Sequence, residues 1–578
     1  MEERQLTIEN RTKYYEKNVE YIKKLGGTRE QSICLQKNPE DKKERAIVNA
    51  KTKKIYYGVA RRLGVCDGYN TLLDIKTDEK VQESCFGEVY KLYFPPKASE
   101  EERNYIAGKV IPLTNYDYKH KQNHSKSDAW KELYIQKFLS DKIVLKGLNP
   151  HFSIFYGYFN CENGNIEDYS NKNVLKKMMM HDVLEKLREE YKTMMNIVDK
   201  YNFTRGDKNI MNKFRAKIKQ IGDEISKYDV ESLNNPKYNI ISLIELENVS
   251  LSSYIENDYY NINQILKFAK KYDSHLIKTD ITHAKQLKQA LNIINKSNEK
   301  TKNELEFAIS PAYLNSLVMY SLIFQCIFGI ISMNNRGVIH LDLHTDNILM
   351  SYTGKNKNNI LDLNVNDYWV YSYNGKKMII PNVGILCKIV DFGLSETLDH
   401  FKNKTVSQKG EIGEYVVDKL NYFVFTIREQ REVSRVANSI INSFKYANPE
   451  LLFANMKLFD VVIFLIAIIA DVDDRKKRHF QEANEQLKGE WTKYRYELER
   501  IEAKERFNEL LTPQYRNNLV NIYNYAFASF INLFYGRKMK KLYDSEFDEI
   551  IWGIFAIFKE TNVDTKDIKI INPKAYVV

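Results

Sequence analysis

The run His340-Leu-Asp-Leu-His-Thr-Asp-Asn347 gathers acidic, imidazole and amide side chains within one short stretch, and Cys387-Lys-Ile-Val-Asp-Phe-Gly393 adds another carboxylate downstream. This set suits phosphoryl transfer, which needs an anion to orient a hydroxyl nucleophile and oxygen ligands for a divalent cation beside the phosphates. Asp342 is placed for the first task. Asn347, across a short loop, and Asp391 suit the second. His340 reads as a buried hydrogen-bonding histidine that supports the loop, not as a base or ligand.

Groups of this kind need rigid elements around them. Leu314–Asn335 is an apolar stretch that predicts a long helix, and short strands are predicted within Val338–Met350 and Leu386–Phe392. Upstream, Lys80–Phe94 reads as a hairpin with Gly87 near its turn. Tyr105–Leu113 reads as a further strand, set apart by Pro95 and Pro96. Ser127 can cap a helix running to Leu139, where Trp130, Leu133, Tyr134 and Phe138 recur near helical spacing. His151–Cys161 and Tyr238–Glu247 read as strands. Glu162–Lys237, Asn261–Glu306 and Ser351–Ile385 are polar and read as insertions, the first a helical hairpin. Asp473–Arg506 reads as a charged helix, and Asn517–Leu533 and Glu546–Lys559 as apolar helices. The longest apolar run, Val461–Ala470, is shorter than the ~20 residues that span a bilayer and reads as a core helix.

The pattern H-x-D-x-x-x-x-N followed by D-F-G resembles the protein-kinase-like superfamily. The resemblance extends upstream in family order. Gln82-Glu-Ser-Cys-Phe-Gly-Glu-Val89 is similar to the second half of a phosphate-covering loop, which implies nucleotide contacts from Ser84, Phe86, Gly87 and Val89. Ala107-Gly-Lys109 resembles the strand whose lysine clamps the α/β-phosphates, and Glu132 stands where a helix glutamate pairs that lysine. Ile244-Glu-Leu-Glu247 resembles the gatekeeper and hinge, which adds Glu245 and Glu247 to the nucleotide-binding set. The resemblance gives catalytic roles to Asp342, Lys109, Asn347 and His344, nucleotide contacts also to Ala107 and Glu132, and the metal to Asn347 and Asp391.

The departures from the family pattern carry information. Gln82 and Ser84 replace glycines, which limits how closely the backbone approaches phosphate. Leu341 replaces the arginine that reads a phosphorylated activation loop, so activation by such phosphorylation is not expected. His344 replaces the lysine found two residues after the aspartate in serine/threonine kinases, and is similar to aminoglycoside phosphotransferases; it could donate to the γ-phosphate. The helix that braces the catalytic loop has two candidates. Asp460, after Ala447-Asn-Pro-Glu450, lies on an all-apolar helix and is preferred to Asp418.

The fold implied is α+β: a two-lobed protein-kinase-like fold with helical insertions and a helical C-terminal extension. Residues 1–60 would be a basic N-terminal extension and 61–247 the small lobe, with an insertion over about 162–237. Residues 248–475 would be the large lobe, with insertions over about 261–306 and 351–385, and 476–578 its helical continuation. The function implied is an ATP- and Mg²⁺-dependent (or Mn²⁺-dependent) serine/threonine protein kinase, resembling those of large DNA viruses. The alternatives are a small-molecule kinase, suggested by His344, and a pseudokinase scaffold that binds nucleotide without transfer, kept open by Gln82 and Ser84.

Composition bounds these readings. The chain has 578 residues, 40 Tyr and 28 Phe, enough apolar surface for a core, which excludes disorder as a whole. Six scattered cysteines form no C-x-x-C pair, which fits a reducing compartment and argues against a structural zinc site. The net charge of +11 favours acidic partners. Lys172–Lys227 and Lys267–Lys302 each carry +6 and together hold that excess. They read first as solvated helical faces and second as docking surfaces for an acidic protein, a membrane or nucleic acid, the last without a clear nucleic-acid motif; the expected partner is a protein substrate, acidic in the second reading. Met1–Lys23 lacks the apolar core of a signal peptide. No transmembrane segment is expected, and the expected location is the cytoplasm, of a host cell if the chain is viral, or the virion.

Overall fold

The computed structural model describes residues 8–24, 80–84, 87–94, 104–114, 117, 127–162, 188, 191–193, 195, 215–219, 221–222, 225, 238–247, 249–256, 312–352, 367–424, 426–486, 513–536, 538–559, 569–570, 572 and 574–577. They fall into two units. One holds the described residues of Thr12–Phe138 and Ile154–Leu246; the other holds those of Met1–Arg11, Leu139–Ser153 and Glu247–Val578. The chain thus divides between Leu246 and Glu247, next to the boundary expected at 247. Residues 139–153, expected in the first lobe, belong with the second.

In the smaller unit, β1 (Lys80–Ser84), β2 (Gly87–Phe94), β3 (Asn104–Leu113), β4 (Phe155–Glu162) and β5 (Tyr238–Glu245) form an antiparallel sheet in the order β1-β2-β3-β5-β4. On β3, Ile106, Ala107, Val110, Ile111 and Leu113 are all buried, so both faces of this central strand are covered. Helix α1 (Asp128–Leu139) lies in this unit. The Ser127 hydroxyl accepts from the Trp130 N–H at 3.4 Å and donates to Asp117 at 2.7 Å, which fixes where the helix begins. Its Trp130 and Leu133 join Ile111, Leu113, Phe155, Tyr158 and Ile240 in one apolar cluster.

The larger unit is mostly helical, with three small sheets. A two-residue strand, β6 (Val249–Ser250), leads into α2 (Leu251–Glu256). Helix α3 (Ala312–Asn334) is apolar on all sides and buried from Val318 to Asn334. After it come β7 (Val338–Ile339), β8 (Ile348–Tyr352), β9 (Asp367–Tyr373), β10 (Lys376–Pro381), β11 (Ile385–Ile389) and β12 (Glu396–Thr397). Then follow α4 (Leu398–Lys402), α5 (Val406–Phe423), α6 (Ile427–Tyr446), α7 (Pro449–Gln486), α8 (Pro513–Phe534) and α9 (Asp544–Lys559).

Three expectations are corrected here. The stretch 351–385 is not simply a polar insertion, because β9 and β10 form a hairpin whose Tyr368, Trp369 and Tyr371 are buried. Its turn, Asn374-Gly375, has positive φ at both residues (48° and 76°), the geometry that Asn-Gly supplies in a tight hairpin. The C-terminal part is not only helical: β13 (Lys569–Ile570) and β14 (Tyr576–Val577) pair in parallel with β9. The boundary at 475 falls inside α7, which joins the apolar run and the start of the charged segment into one helix. The expected insertion 261–306, most of 162–237 and the remainder of the charged helix lie outside the described residues. Among the described residues, only Pro449–Asp473 of α7 is long and apolar enough to cross a membrane, and its apolar window is 89% buried within the protein.

His151 ties this unit together. Its Nδ1 faces the Cys387 carbonyl at 2.9 Å and its Nε2 the Tyr371 hydroxyl at 3.0 Å. A carbonyl only accepts, so Nδ1 carries the proton and Nε2 accepts from Tyr371. Burial, with Arg11 and Lys388 nearby, lowers its pKa from 6.5 to about 3. The neutral ring is therefore the native form, and its contribution to stability is complete above pH 6.5 and lost as pH falls toward 3. Unfolding free energy should drop by about 2 kcal/mol between pH 6.5 and 5 from this group alone, at about 1.4 kcal/mol per unit. Denaturant titrations of wild type and His151→Gln at both pH values check this, with the variant showing the shallower pH slope.

Candidate functional site

The loop His340–Asn347 follows β7, and its first residues are held by one side chain. Asp460 on α7 is fully buried. Its Oδ2 accepts from the His340 N–H at 3.0 Å and the Asn334 amide at 3.1 Å, and its Oδ1 from the Leu341 N–H at 3.0 Å. Burial pushes this carboxyl's pKa up, against the opposing pull of His340 and the N–H donors. Asp460, not Asp418 of α5, is thus the loop's anchor. A second carboxylate of the same helix, Asp471, accepts from the Thr345 hydroxyl. His340 is buried, and its Nε2 faces the Val390 carbonyl at 2.9 Å, so it donates there and links the two motif loops.

Two side-chain-bearing residues at this site sit in the left-handed region of backbone space, Leu341 at φ 67° and Asp391 at φ 60°. Such conformations cost about 1–3 kcal/mol each for a non-glycine residue, and they concentrate at functional sites. The Leu341 side chain is buried. The Asn347 amide nitrogen donates to the Asp342 carbonyl at 2.8 Å, and the Asn347 carbonyl accepts from the Val390 N–H at 3.0 Å. With its nitrogen committed, the Asn347 side chain has its oxygen left as an acceptor.

Among the described residues no three His, Cys, Asp or Glu side chains gather as a metal site.

Asp342 is approached from three sides. The Tyr415 hydroxyl donates to Oδ1 at 3.2 Å, the Lys419 ammonium pairs with the same oxygen, and His344 Nε2 lies 3.9 Å from Oδ2. His344 Nδ1 is nearer to Asp346, at 3.4 Å, and that contact holds the Asp346 carboxyl's pKa below the usual range despite partial burial. Tyr415 and Lys419 both come from α5 and belong to no motif. The signal for them was their four-residue spacing on one helix face, which does not say what that face meets.

In the smaller unit, Lys109 Nζ pairs with Glu132 Oε1 at 2.7 Å, with side chains only 5% and 2% exposed. Gln136 donates to the same oxygen at 3.1 Å and accepts from Ser242 at 2.7 Å. Lys109 stands opposite Val89 on β2 and Ser242 on β5, and Ala107 is buried two residues before it. Gly87 opens β2 opposite Ser84. Phe86 lies outside the described residues.

The carboxylates of the two glutamates expected in the nucleotide-binding set have partners within the protein. Glu245 Oε2 accepts from the Ile154 N–H at 2.8 Å. Glu247, in the larger unit, is buried and paired with Lys388 at 2.8 Å, and it also accepts from the Ser153 and Ser351 hydroxyls. The Glu247 carboxylate is thus buried and paired, and the Glu245 carboxylate is half-buried with one main-chain donor.

No family model matches the chain. A stretch of 84 residues, 14% of this chain, is 29% identical to the uncharacterized protein R403 of Acanthamoeba polyphaga mimivirus and covers 11% of that protein. Among solved structures the chain is similar to the pseudokinase PEAK1 (Sugen kinase 269), at 10% identity and a TM-score of 0.21 over 83% of this chain and 99% of that one. A TM-score that low does not equate two folds, and the architecture above rests on the chain's own geometry.

Proposed function

We propose that the chain is a protein-kinase-like phosphotransferase that uses ATP and Mg²⁺, or Mn²⁺ in its place, to phosphorylate serine or threonine hydroxyls of a protein. The two units would correspond to the small and large lobes of such a fold. The observation that carries the reading is the His340–Asn347 loop. One buried carboxylate fixes its backbone, Asn347 is locked to Asp342, and the neighbouring loop presents Asp391 at positive φ. The buried Lys109–Glu132 pair supports it independently. In this reading Asp342 orients or deprotonates the acceptor hydroxyl, and Lys109, braced by Glu132, clamps the phosphates. Mg²⁺, when bound, neutralises the β- and γ-phosphates. Catalysis would come mainly from positioning and electrostatics. The brief similarity to a mimivirus protein agrees with a large-DNA-virus source, and action in the host cytoplasm or virion belongs to the same proposal.

The test is incubation with labelled ATP, Mg²⁺ or Mn²⁺ and a panel of acidic and basic proteins and small hydroxyl acceptors. Transfer to protein is the expected result. Transfer only to small molecules would favour the second reading, and nucleotide binding without transfer the scaffold. Asp391→Ala should lose Mg²⁺-dependent ATP affinity by about tenfold or more, the worth of a charge-assisted contact. Calorimetric titration with Mg-ATP checks this, and unchanged affinity with unchanged turnover would remove Asp391 from the metal site.

A further inference from the structure

The catalytic loop has an electrostatic deficit. Asp342, Asp346 and Asp391 lie in its two motif segments, which carry two histidines and one lysine. That lysine, Lys388, is buried and committed to Glu247. A group transferring a phosphoryl needs a cation close to the orienting carboxylate, because charge moves on the transferred oxygens during the reaction. His344 occupies the sequence position for it, but its ring lies closer to Asp346 than to Asp342.

The cation in contact with Asp342 comes instead from α5. Thr405 and Gln408 form a reciprocal cap that fixes where this helix begins. Tyr415 and Lys419, four residues apart, then share one face. Gly413 fixes how α5 lies against α6: a Cβ there would sit 2.9 Å from the Ile441 Cα and 3.1 Å from the Phe444 Cβ. Lys419 pairs with Asp342 Oδ1, and its ammonium lies 5.5 Å from the centre of the Tyr415 ring and 5.8 Å from that of Phe423. Two aromatic faces around the ammonium hold it in place. The side chain stays 22% exposed and Asp342 18%, so the pair is open to an incoming substrate.

We propose that Lys419 supplies the cation of the transfer step, holding the Asp342 carboxylate and facing the transferring phosphoryl group, in place of the lysine that the loop itself lacks. Tyr415 is the positioning residue that aligns the same carboxylate oxygen. This rests on the phosphotransferase reading. It adds that the acceptor side of the site is completed by a helix distant in sequence.

The test begins with wild type, for which Mg-ATP affinity and transfer are both measured. A wild type that transfers to no acceptor overturns the phosphotransferase reading, and this proposal with it. Where wild type transfers, Lys419→Met should lower kcat by about 10²–10³-fold, the usual effect of removing one stabilising group at the reacting centre. ATP affinity and melting temperature should change little. Lys419→Arg should retain at least tenfold more activity than Lys419→Met, and His344→Ala should lose less than Lys419→Met. An unchanged kcat in Lys419→Met would make the pair an ordinary surface contact and overturn the proposal alone. A raised kcat would overturn it differently, by showing that α5 blocks the acceptor position. Equal activity of the arginine and methionine variants would also overturn it.

Discussion

Asp342→Asn is expected to lower phosphoryl transfer by ~10²–10⁴-fold, the range that general-base assistance contributes, while Mg-ATP affinity stays close to wild type. The carboxylate meets Tyr415 and Lys419, and in the proposed reading it serves the acceptor hydroxyl while other residues hold the nucleotide. The fold should survive the change. The loop is held through the His340 and Leu341 backbone by Asp460, and the Asn347 amide binds the main-chain carbonyl of residue 342, which the substitution keeps. Single-turnover transfer, calorimetric ATP binding and thermal unfolding separate these effects. Residual transfer above roughly a tenth of wild type, against the loss expected of a lost base, would take Asp342 out of the role.

The second large effect is structural. Lys388→Met should destabilise the chain by about 3–5 kcal/mol, because it leaves the Glu247 charge buried without its partner. The two side chains are 2% and 1% exposed and 2.8 Å apart. Adding Glu247→Gln should restore more than half of the loss. The amide removes the stranded charge; the Ser153 and Ser351 hydroxyls reach different carboxylate oxygens, so the amide oxygen accepts from one of them and the amide nitrogen donates to the other. Denaturant unfolding of the single and double variants measures the coupling directly. A Lys388→Met penalty below about 1 kcal/mol would place the pair with solvated surface contacts.

What was legible in the sequence was local. The His340–Asn347 run, the helix before it and the strand that carries Lys109 could be read because their signals lie within a few residues. The hairpin at 367–381 was equally legible: Tyr368, Trp369 and Tyr371 stand before an Asn-Gly turn. The polar character of the surrounding stretch outweighed that signal in the expectation of an insertion. What could not be read depends on chain closure over long separations. Glu247 meets Lys388 across 141 residues, and Tyr415 meets Asp342 across 73. Neither partner choice leaves a trace in spacing or composition. Glu247 shows the cost: its place in the motif order was visible, but the lysine that pairs with its buried carboxylate was not.

Helix α7 grips the His340–Asn347 loop at two points, Asp460 at the start of the loop and Asp471 at Thr345. They stand eleven positions apart, just over three full turns at ~3.6 residues per turn, so both carboxylates leave the helix on one side. The helix therefore acts as a ruler for the loop. Inserting or deleting one residue between the two would swing the second grip by about 100° around the axis and leave the first in place. The loop would keep its entry and lose the alignment of its far end. Length between these two positions is thus under tighter constraint than the identity of the apolar residues that fill it, since those have only to stay apolar and of similar volume.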